Sequence, residues 1–140
     1  MGTPQAPLNV DNVRAVARSL ARVHGIERRE SSTQEKDSAQ IAEARLDRLT
    51  VSLTAEQRKK LITSSAQLHG SPQLDNFFIR NDIAVMTGYA HGQTGTVVKD
   101  VVIVLEEIQK NSPATFTELS SAFLTTYFGS EEKEQVQKAA

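Results

Sequence analysis

The chain has 140 residues, with 16 Lys and Arg against 17 Asp and Glu, a formal net charge of −1, and no cysteine. That balance excludes a whole-molecule field steering the protein toward nucleic acid or an anionic membrane. The missing thiols exclude disulfide scaffolds, Cys-ligated zinc and thiol nucleophiles.

No apolar run approaches the roughly 20 residues of a bilayer span, and no apolar stretch near the start has the form of a secretory signal, so a cytoplasmic location is expected. Two prolines break residues 1–8. Residues 10–24, VDNVRAVARSLARVH, then carry a helical period, with Val13, Val16, Ala17, Leu20 and Val23 along one stripe. Arg14, Arg18 and Arg22 recur every fourth residue and form a basic row beside it, and Gly25 supplies a stop. Residues 26–40 are almost wholly polar and read as a linker or weak helix. Residues 39–49 continue as a helix with a thin stripe of Ala42, Leu46 and Leu49.

The compact core is expected from Val51 to Gly129. Thr54 to Gln57 fits a capping box, in which the Thr hydroxyl and the Gln side chain each satisfy a free backbone N–H. The helix it opens is expected to reach His69. Pro72 suits the first turn of a following helix that carries Leu74, Phe77 and Phe78 as a buried anchor. Residues 83–90 read as helix or strand, with helix preferred.

Residues 97–110, VVKDVVIVLEEIQK, are rich in β-branched residues, but their period is helical. Val97, Val98, Val101, Val102, Val104, Leu105 and Ile108 share one broad face. Lys99, Glu106 and Lys110 lie opposite, with Asp100 at their edge and Ile103 out of place. After Pro113, a second capping box at Thr115 to Glu118 opens a helix bearing Phe116, Leu119, Phe123 and Tyr127, expected to close at Gly129. The fold class expected is therefore all-α. It has a four- or five-helix core over 51–129, preceded by an arm over 1–50 with one basic amphipathic helix and followed by a polar tail over 130–140.

Within YAHGQTGT, residues 89–96, the glycines resemble the phosphate loop of kinesin motors, which implies nucleotide binding. The loop's second glycine, phosphate lysine and Mg²⁺-binding hydroxyl would fall on Val97, Val98 and Lys99, which are the wrong residues. The glycines read instead as turn residues, with Thr94 or Thr96 capping the helix that follows. His24, His69 and His91 lack metal-ligand spacing and read as ordinary surface or helix-end histidines. No nucleophile with a base and an orienter can be assembled, so no catalytic residue, metal or cofactor is assigned.

Residues 98–127 resemble the first two helices of a winged helix-turn-helix protein, which implies binding to DNA. Where a recognition helix should follow, Glu131, Glu132 and Glu134 would repel phosphates. The reading preferred is a non-catalytic interaction module that docks its N-terminal helix into a partner's groove, or onto a second copy. Val13, Val16, Leu20 and Val23 are its expected anchors, and Arg14, Arg18 and Arg22 steer toward an acidic protein. DNA binding is the alternative.

Overall fold

A computed structural model describes residues 8–26, 28–68, 77–80, 83–86 and 94–139. The architecture is mainly helical, as the sequence pattern predicts, with two small antiparallel sheets set among the helices. Helix α1 spans Val10–His24, and Asn9 caps it by accepting the Asn12 N–H at 2.8 Å. Helix α2 spans Thr33–Arg48, α3 Ala55–Thr63, α4 Val98–Asn111 and α5 Phe116–Ala139.

One sheet takes β1 (Arg29–Glu30), β2 (Ser64–Gln67) and β5 (Thr94–Thr96), with β2 central and all pairing antiparallel. The other pairs β3 (Phe77–Arg80) with β4 (Ile83–Met86), Phe77 opposite Met86 and Arg80 opposite Ile83. Among the described residues no helix is long and apolar enough to cross a membrane.

Several local expectations are corrected. The helix expected to reach His69 ends at Thr63, and Ser64–Gln67 pairs as a strand. Its last stretch offers Ser64, Ser65 and Ala66, too small to hold a helix face but suited to a crowded central strand flanked on both sides. Residues 77–80 and 83–86 are strands, not helices. Two short aromatic and β-branched runs flanking Asn81-Asp82 are a hairpin signal, and each is too short for a stable helix. Residues 72–76, the start of the helix expected to carry Leu74, Phe77 and Phe78, and His69 lie outside the described residues.

The polar segment 26–40 is not a linker. It contains β1 and the first half of α2, which opens on a capping box of its own. Ser32 Oγ accepts the Glu35 N–H at 3.2 Å, and Glu35 Oε1 accepts the Ser32 N–H at 2.9 Å. The box expected at Thr54 is present, with Gln57 N donating to Thr54 Oγ1 at 3.0 Å and Thr54 N to Gln57 Oε1 at 3.1 Å.

Helix α4 has no side-chain cap, because the threonines expected to cap it are already paired in β5. Thr96 instead donates to the Glu35 carbonyl at 3.1 Å, which ties the sheet to α2. Gly95 packs closely, since a Cβ there would meet Leu68 Cδ1 at 3.1 Å and Leu68 would have to give by a few tenths of an ångström. Gly88, Gly92 and His91 lie outside the described residues. Helix α5 is entered directly from a single 3₁₀ turn, Pro113–Thr115, and it passes through Gly129 to Ala139 instead of closing there.

The arm expected over 1–50 does not stand apart. Helix α1 packs along α5 and also meets β4 and β2. Its Val13, Val16 and Leu20 belong to the same buried cluster as Leu61, Val101, Leu105, Phe123 and Tyr127. Residues from both sides of the expected boundary at 50 therefore build one core.

Candidate functional site

The seven residues nominated for partner binding divide cleanly. Val13, Val16 and Leu20 have no solvent exposure and Val23 has 5%, so all four are used inside the chain. Docking a partner through them would require α1 to leave its own core, which corrects the expected mode of contact. Arg14, Arg18 and Arg22 are exposed. Consecutive positions four residues apart on a helix lie about 6 Å apart along its axis, so the three form a short ridge. Apart from Asp11, the remaining residues of α1 are wholly or partly withdrawn from solvent. The ridge is held on a backbone that its neighbours fix on the other sides.

A second constellation escaped sequence reasoning. His24 from α1, Asp100 from α4 and Tyr127 from α5 meet in the interior. His24 Nε2 lies 2.8 Å from Asp100 Oδ2, and His24 Nδ1 lies 2.7 Å from the Tyr127 hydroxyl. Exposure is 0% for His24 and Tyr127 and 1% for Asp100. A carboxylate only accepts, so His24 Nε2–H donates to Asp100. The Tyr127 hydroxyl, which can both donate and accept, pairs with Nδ1.

His24 is thus not an ordinary surface histidine, although it is the last residue of its helix. The signal for the network was weak but present. His24 follows Leu20 by four on the buried stripe. Tyr127 ends the Phe116, Leu119, Phe123 ladder, and Asp100 interrupts a run of valines. His24 and Tyr127 are polar groups at positions the period assigns to the core, whereas Asp100 was read at the edge of the polar sector of α4.

Carboxylate, imidazole and phenol in series are the parts of a proton relay. Here they are enclosed, with the Tyr127 ring stacked on Phe123 at 6.1 Å between centroids and edge-on to Phe128 at 5.3 Å. The arrangement's clear physical effect is to fasten three helices together, since leaving any one partner unpaired in the interior is costly. Among the described residues, no group of three or more His, Cys, Asp or Glu side chains could hold a metal.

One shallow groove of about 310 Å³ runs between α2 and α4, lined by Ile41, Ala42, Leu68 and Ile103, with Lys99 and Arg45 at its sides. Arg45 is fixed by a two-pronged bond to Glu106, Nε to Oε2 at 2.9 Å and Nη2 to Oε1. Of the residues lining this groove, Ile41 has 75% of its surface in solvent.

No protein-family model matches the chain, and no curated protein matches its sequence. The functional reading therefore rests on the residues themselves.

Proposed function

We propose that this protein is a small non-catalytic protein–protein interaction module, an adaptor, regulator or assembly factor working in the cytoplasm. It engages an acidic partner through the ridge Arg14–Arg18–Arg22. The observation that carries the reading is the division within α1: its apolar stripe is committed to the core, and its exposed residues are Asp11 and a line of three guanidiniums. A guanidinium presents a planar fork suited to carboxylates, and a ridge on a packed helix loses little freedom on binding. The net charge of −1 makes the ridge a local feature against a nearly neutral surface. The Asp100–His24–Tyr127 network, which has the parts for proton transfer, is read as structural because its three side chains are buried.

The test is affinity capture with the wild type and with Arg14, Arg18 and Arg22 all changed to Gln, followed by cross-link mapping on the partner. The expected result is a partner whose cross-linked segment is rich in Asp and Glu and which is lost with the triple variant. The variant's melting temperature should not change. A partner retained equally by both proteins would overturn the ridge. Anisotropy titration with a DNA duplex decides the alternative: saturable binding that falls steeply with salt, and that the Gln variant abolishes, would make the ridge a phosphate contact.

A further inference from the structure

Helix α2 turns its Ala39, Ala42 and Leu46 side toward the core and leaves a different stripe in solvent. That stripe consists of Gln34, Asp37, Ser38, Ile41, Ala44 and Arg48, all exposed. At 100° per residue these positions fall within about 60° of Ile41, so they form one face. Ile41 is its centre and the most exposed large apolar side chain among the described residues. Ser38 and Ala44, one turn to either side, are small enough to let another backbone approach closely.

The charges on the face are arranged with a direction. Asp37 lies one turn before Ile41 and Arg48 two turns after it, on the same flank. Each is exposed, and neither has an ion pair among the described residues.

We propose that this face binds a second copy of the chain, with the two α2 helices antiparallel about a two-fold axis at Ile41. A two-fold axis makes an interface out of one patch that must complement itself. Antiparallel pairing about residue 41 brings each Asp37 to the flank that carries the other copy's Arg48. The two lie about three residues apart along the axis, roughly 4.5 Å, within reach of an arginine. Both pairs form at once, one on each side of the axis. Parallel pairing would instead set Asp37 beside Asp37 and Arg48 beside Arg48. Antiparallel alignment also opposes the two helix dipoles favourably. Each Ile41 then covers the groove of the other copy, where Leu68 and Ile103 supply an apolar floor. An interface of one helix and one groove belongs to the small class, below about 1,200 Å², so the dimer is weak and depends on concentration. This face is separate from the arginine ridge on α1, and the two readings stand or fall independently.

Sedimentation equilibrium of the full chain over a concentration series tests the proposal. The wild type should move from monomer to dimer. Ile41→Asp should weaken association by at least about tenfold, the effect of losing a buried aliphatic anchor. Asp37→Arg and Arg48→Asp should each weaken it alone, since each sets like charges face to face. An equal mixture of those two variants should associate more tightly than either by itself, because only the mixed dimer restores both pairs. All three positions are exposed, so circular dichroism melts should match the wild type and exclude misfolding as the cause. A chain that stays monomeric throughout would overturn the proposal. So would an Ile41→Asp variant that dimerises as tightly as the wild type, or a mixture with no preference for the mixed dimer.

Discussion

Helices α1 and α2 are neighbours in the chain and of similar length, 15 and 16 residues, yet they are held by different physics. Helix α1 is withdrawn from solvent on nearly every side. Ala15, Ala17 and Ala21 are at most 2% exposed, and Ser19 is 7% exposed, in addition to its valines and leucine. Helix α2 buries only Ala39, Ala42 and Leu46, and its position is fixed largely by polar contacts. Its N-terminus is capped, Arg45 grips Glu106, and Arg58 from α3 reaches both Glu43, at 3.1 Å from Nη2, and Asp47. The contrast shows what small side chains do. An alanine adds little transfer energy, but it lets α5 and the strands approach α1 closely from directions the valine stripe does not cover.

The comparison is tested most severely by placing Asp at both Val16 and Leu20. A free arm would lose only its association with a partner. The packing observed here leads to a different outcome, loss of the global fold. Truncating one buried Leu alone costs about 2–5 kcal/mol, and an unpaired buried carboxylate adds more, against a total stability of about 5–15 kcal/mol for a domain. A thermal melt by circular dichroism should show no cooperative transition. A native-like transition would mean that α1 is dispensable to the core, restoring the arm and its apolar docking mode.

This outcome also shows which parts of the fold were legible in the sequence. Strong periods were: α1, α4 and the apolar ladder at the start of α5 fall where the 3.6-residue pattern places them. Ile103, read as out of place, is the partly exposed apolar member of α4. What was hidden had a physical reason in each case. The capping box of Ser32 and Glu35 sat inside a segment judged by its polarity, and capping is a local hydrogen-bond signal that mean polarity does not register.

The strand β2 lies where Ser64 to Gln67 would also continue the preceding helix, and only tertiary pairing with β1 and β5 decides between the two. The apolar residues of the candidate site were identified correctly as one stripe, but whether a stripe meets its own chain or another is not written in its period. The His24 network required contacts over 76 and 103 residues of sequence, beyond any local pattern.

A smaller effect separates apolar from polar fastening within α1 itself. Tyr127→Phe keeps the ring and its stacking and removes only the hydroxyl that is hydrogen-bonded to His24 Nδ1. The buried ring nitrogen is left without that partner, at an expected cost of about 1–3 kcal/mol by urea denaturation. The m-value should stay constant, because the surface exposed on unfolding is unchanged. A loss near zero would mean that His24 is satisfied in some other way and that α1 is held by its apolar residues alone. The same variant should leave capture of an acidic partner intact, since the three arginines are exposed whereas His24 and Tyr127 are buried.

The smallest effect lies at the start of α2, where the polar fastening can be titrated. Arg29 donates twice to Glu35, Nη1 to Oε1 and Nη2 to Oε2, each at 2.6 Å. These bonds, together with the Ser32 backbone N–H, lower the Glu35 carboxyl from 4.5 to about 2. The folded value is depressed, so the carboxylate contributes stability above pH 4.5, and that contribution is lost as the pH falls toward 2. Glu35→Gln keeps an oxygen for the capping box and removes only the charge. The pair lies at the surface, with Arg29 about half exposed, so the loss at neutral pH should stay within about 1 kcal/mol. The gap between wild type and variant should then close as the pH is lowered through that window. A gap that persists unchanged at the acid end would show that α2 is held there by the shape of its cap and not by the Arg29 charge. The polar side of the contrast with α1 would then rest on hydrogen bonding alone.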